Sequence, residues 1–211
     1  MIIEHPLPGV VHLHFETQDA LCRVFVRLQE FYESPYDEIR GHYFSHDKFI
    51  ARYAETHGYP FSYYSDWHGF NLPAKAVYDF AKLFANDITA EEFDIVAAVK
   101  LHAGKYLIAT HQELDIDHEL AHALFYLDVD YLDKVDTLLD ALDVNTDLAL
   151  REWLIKEGYT KSVLRDEYNA FLSTNDRDEW ITFHKFTPAL ADHMYEAGEP
   201  FRALFNFTLA E

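Results

Sequence analysis

Two spacings of apolar residues alternate along the chain. Near the N-terminus, Val11, Leu13 and Phe15 alternate with His12 and His14. That period of two marks a half-buried strand, with both histidines on its polar, solvent-facing side, where they could also share a metal. From Thr17 to about Glu33 the period lengthens. Leu21, Phe25, Leu28 and Phe31 form one helical stripe, with Thr17 as N-cap and Cys22 packed inside. Ser45 and Gly58 bracket a helix over 46–57. Residues 59–73 then hold six aromatics in 15 positions without helical spacing. Such a stretch reads as a long loop that covers a pocket or plugs the core beneath it, with Asp66 and His68 as polar anchors.

Asn71 ahead of Leu72-Pro73 resembles a helix start, giving a helix to about Asn86. Thr89-Ala90-Glu91-Glu92 is a capping box for another, ending near Gly104. Tyr106 to Thr110 is strand-like, and an apolar helix follows through residue 124. The pattern predicts further helices over 130–142, 147–157 (closed by Gly158) and 162–174. Residues 179–186 alternate partly and read as a strand. Thr187-Pro188 opens a last helix to about Ala197, with Gly198 as its stop, before an apolar tail. The expected fold is therefore α+β and predominantly helical, one domain over 1–211 with a small sheet. Residues 1–88 would form an N-terminal lobe over the site, and 89–211 the core that carries it.

The site is centred on Asp115-Ile116-Asp117-His118-Glu119-Leu120-Ala121-His122-Ala123-Leu124, which contains H-E-x-x-H. On a helix, His118 and His122 stand one turn apart on one face, so their ring nitrogens can meet a single metal ion. Glu119 is rotated about 100° from His118, beside the metal position, where it can take a proton from a metal-bound water. Uncharged residues around the pair and the apolar continuation resemble the zincin metallopeptidase signature, although Asp115 stands where that signature often has Val or Thr. The resemblance implies a zincin-like fold with a small sheet and the H-E-x-x-H helix. It also implies zinc as cofactor, and a peptide or protein as substrate lying along a sheet edge that Tyr106–Thr110 would supply.

A catalytic zinc site uses three protein ligands plus water, so a third is needed. Asp128, ten residues after His118, holds the position used by the metzincin branch. Phe125 occupies the place of the Gly that lets that chain turn back. On a continuing helix Asp128 would lie about 9 Å along the axis from His122 and out of reach. Glu167 lies on a separate helix with an apolar face, and a carboxylate presented from a second helix is the gluzincin arrangement. His184 and His193 are the next candidates. Glu113, Asp115 and Asp117 suit helix-start acids. Asp117 or Asp166 could orient a ligating imidazole. Tyr159, Tyr168 or His184 could stabilise an oxyanion.

The formal net charge of −20 argues against nucleic-acid or anionic-membrane partners. The lone Cys22, the lack of a signal-like N-terminus and the absence of a long apolar run set a cytoplasmic expectation. The sequence thus points to a zinc-dependent metallohydrolase with ligands His118, His122 and Glu167 and general base Glu119. The same donor set suits a non-haem Fe(II) enzyme. A third reading is an acidic, non-enzymatic binding protein that uses the aromatic loop.

Overall fold

The computed structural model describes residues 2–111 and 116–210. The protein is α+β, 64% helical, with a small mixed sheet. It divides into two compact units, Met1–Ile116 and Asp117–Glu211. The division falls after the sheet is complete, because the strand at 106–110 lies inside the sheet of the first unit.

The first unit runs β1 (Ile2–Glu4), β2 (Val10–His14), α1 (Gln18–Glu33), α2 (His46–His57), α3 (Tyr63–Asp66), β3 (Gly69–Pro73), α4 (Ala74–Leu83), α5 (Ala90–Leu101) and β4 (Tyr106–Thr110). The sheet order is β1-β2-β4-β3, with β2 parallel to β4 and the outer pairs antiparallel. Two expectations change here. The strand at 106–110 is not an edge: β2 and β3 flank it, and all five of its residues are buried. It therefore has no open ladder to offer a peptide. β2 is likewise internal, so His12 is buried, with its Nε2 2.8 Å from the Thr110 hydroxyl oxygen and its Nδ1 3.2 Å from Glu4. It is not a solvent-facing histidine.

The helix starts follow their caps. Thr17, Ser45 and Thr89 accept hydrogen bonds from Ala20, Lys48 and Glu92 backbone N–H groups, satisfying donors a helix N-terminus leaves unpaired. Glu92 also receives Arg27 Nη2 at 2.5 Å, an ion pair whose two side chains are almost fully buried, which locks α1 to α5. The 59–73 stretch is not a loop throughout, since it contains α3 and β3. Its strand extends through Pro73, so the helix expected from Asn71 begins at Ala74. Tyr63 is fully buried against Phe49 and Tyr53, and Trp67 packs on Phe70. Tyr63 and Phe70 plug the first unit's own core, Phe61, Tyr64 and Trp67 pack against it, and Tyr59 is exposed. Asp66 accepts from the Tyr53 and Ser62 hydroxyls, and the His68 carbonyl accepts from His111 Nδ1, so both anchors serve that packing.

The second unit is helical: α6 (Ile116–Leu127), α7 (Val129–Asp140), α8 (Val144–Glu157), α9 (Leu164–Thr174), α10 (Arg177–Thr182) and α11 (Pro188–Leu209). α9 is its centre, buried from Glu167 through Ser173 and packed by α7, α8 and α11. Residues 177–182 form a helix and not a strand, because Asp176 and Glu179 make a reciprocal capping box. α11 runs 22 residues straight past Gly198. A Cβ at Gly198 would stand 2.7 Å from the Leu172 carbonyl oxygen, so this glycine permits close approach of α11 to α9 and does not end the helix. No helix among the described residues is long and apolar enough to cross a membrane.

Candidate metal centre

α6 and α9 supply the site. His118 and His122 face one another on α6, with Nε2 atoms 3.2 Å apart. Glu167, near the start of α9, places Oε2 3.9 Å from each of those nitrogens. An ion bound by zinc-like donors needs bonds of about 2.0–2.2 Å. The point equidistant from these three atoms lies about 2.1 Å from each, close to the length of such bonds. Among the described residues this is the single group of three or more His, Cys, Asp or Glu side chains with such convergence.

The position of α9 comes from a residue the sequence reading did not single out. Asn169 is fully buried, and its Nδ2 donates to the Ala121 carbonyl oxygen at 3.1 Å. The Tyr131 hydroxyl donates to Asn169 Oδ1 at 2.9 Å, and the Ser173 hydroxyl to the same oxygen at 3.3 Å. An amide buried among Ala170, Phe171 and Leu172 is the signal that could have marked it, since buried polar groups need partners.

Electrostatics favour a cation here. Burial opposes a charge on His122, but Asp166, Glu167 and Glu119 together outweigh it and push its pKa up to about 10. His118 is held well below the usual histidine range by burial, then by the neighbouring His122 and His184. The carboxylates therefore favour one positive charge in the cluster, which a proton on His122 supplies. Glu119 is itself buried on α6 beside the pair.

The other candidates lie elsewhere or serve the fold. Asp128 breaks the chain between α6 and α7 and caps α7, its carboxylate accepting from the Tyr131 N–H at 3.0 Å. His193 sits on α11, 2.8 Å from the Thr146 hydroxyl oxygen, outside the cluster. His184 accepts from Asn175 Nδ2 at 2.7 Å and packs among Trp153, Phe171 and Trp180. Burial lowers its pKa to about 4. Phe171 contacts both His184 and His118, with its ring centroid 4.6 Å from the latter. The Tyr168 hydroxyl donates to the Asp147 carbonyl, and the Tyr159 ring packs edge-on to Phe171. Asp117 is exposed, whereas Glu113 and Asp115 lie outside the described residues.

Comparison of the chain with models of known protein families, with curated proteins and with solved structures finds no match.

Proposed function

We propose that this chain is a metal-dependent hydrolase, with zinc as the metal and a peptide bond as the bond most suited to its chemistry. The observation that carries the reading is the convergence of His118, His122 and Glu167 beside a buried Glu119. Three protein donors leave positions open for water and substrate. When bound, zinc would lower the pKa of a coordinated water and polarise a carbonyl. Glu119 would accept the proton as the water oxygen bonds to the carbonyl carbon. It would return that proton to the leaving amine as the C–N bond breaks. His118 and His122 act as neutral ligands, so binding displaces the proton held by His122.

The test is Glu119→Gln, assayed with a fluorogenic peptide mixture alongside metal analysis. The proposal expects full metal content and loss of most turnover. Unchanged turnover would remove Glu119 from the chemistry. The two-histidine, one-carboxylate donor set also supports an Fe(II) reading. Elemental analysis of protein purified without added metal separates the two, with zinc expected in excess of iron.

A further inference from the structure

Consecutive residues of α9 address opposite ends of one imidazole. Glu167 Oε2 stands 3.9 Å from His122 Nε2, a gap that leaves room for an ion. Asp166 Oδ1 stands 2.8 Å from His122 Nδ1 as a charge-pair contact, and both of those atoms are buried and have no other polar partner. Successive helical residues point about 100° apart, so a single helix can close one side of the ring and leave the other open.

We infer that Asp166 is a positioning residue that presets His122 as a metal ligand by holding its proton on Nδ1. An imidazole offers a lone pair at only one nitrogen when neutral, and the group bonded to the other nitrogen decides which. With the proton kept on Nδ1, next to the Asp166 carboxylate, the lone pair falls on Nε2, the atom that faces His118 Nε2 and Glu167 Oε2. The carboxylate also fixes the ring plane and raises the basicity of the ligating nitrogen. Asp117, the other acid near the pair, is exposed on α6 itself and cannot be assigned this task on any contact seen. Asp166 touches no donor atom on the open side of His122, so it acts through the imidazole. Asn169, three residues further along α9, ties the same helix to the Ala121 carbonyl.

This inference rests on the metal-centre reading above, and the experiment separates the two. Zinc affinity of the full chain is measured by competition with a chromophoric chelator for wild type, Asp166→Ala and Asp166→Asn. The His122 ring N–H is followed by ¹H–¹⁵N NMR of the zinc-loaded proteins. Asp166→Ala is expected to bind zinc about 10–100-fold more weakly and to lose the downfield His122 Nδ1–H resonance. Asp166→Asn, whose Oδ1 still accepts from Nδ1–H, is expected to keep the resonance and recover part of the affinity. If wild type binds zinc tightly and Asp166→Ala binds it equally well, the positioning role is overturned while the metal centre stands. If wild type binds no zinc, both fall.

Discussion

Asn169 Nδ2 donates to the carbonyl oxygen of Ala121, the residue immediately before the second histidine of H-E-x-x-H. That one bond couples the helix carrying Glu167 to the helix carrying the histidine pair. Its acceptor side is saturated in turn by Tyr131 and Ser173. Asn169→Ala removes the clamp and leaves the buried Tyr131 hydroxyl without that acceptor. Each buried polar group so orphaned costs about 1–3 kcal/mol. Denaturant unfolding should show a loss of about 2–4 kcal/mol, and chelator competition a weaker zinc site. Unchanged zinc affinity would mean that α9 is held in place without Asn169.

Glu167 and Asp128 make a paired comparison. Glu167→Ala takes away one of three donors, so zinc affinity should drop by several orders of magnitude or be lost. Asp128→Ala removes the N-cap of α7, which costs about 1 kcal/mol of stability, and should leave zinc affinity within a few-fold of wild type. The reverse pattern in the same competition assay would transfer the third ligand to Asp128.

Glu30, on α1, gives the first unit a pH dependence of its own. Burial raises its carboxyl from 4.5 to about 7, while the Ser34 and Tyr63 hydroxyls pull the other way. A folded-state pKa above the unfolded value means that the protonated form is favoured by folding. Its contribution is fully present below about pH 4.5 and is lost as pH rises through about 7. Glu30→Gln cannot ionise. Between pH 4 and pH 8 the stability difference should move in favour of Glu30→Gln by on the order of 2–3 kcal/mol. A difference that stays constant across that range contradicts a buried, proton-binding Glu30.

What the sequence disclosed, and what it hid, divides along local and non-local lines. The caps at Thr17, Ser45 and Thr89 and the αL stop at Gly158 depend on neighbouring residues, and each helix begins or ends there. The His118–His122 pair is equally local. That Glu167 lies beside the pair is non-local, and the sequence offers it only through the ligand count expected of a zinc site. The edge role of residues 106–110 and the exposure of His12 could not be judged locally, since both depend on a sheet order joining residues nearly a hundred positions apart. Gly198 looked like a terminator because its reason, the Leu172 carbonyl, is on another helix. The helix at 177–182, by contrast, carries a local signal, the Asp176/Glu179 capping box, which outweighs the partial alternation of 179–186.

The central claim is that one divalent transition metal binds per chain between His118, His122 and Glu167. It is tested most directly by zinc titration calorimetry, with elemental analysis after exhaustive dialysis, on wild type and on the His118→Ala/His122→Ala double variant. The account predicts one equivalent of zinc retained by the wild type and none by the double variant. Full zinc occupancy in the double variant, or no stoichiometric zinc in the wild type, would contradict it.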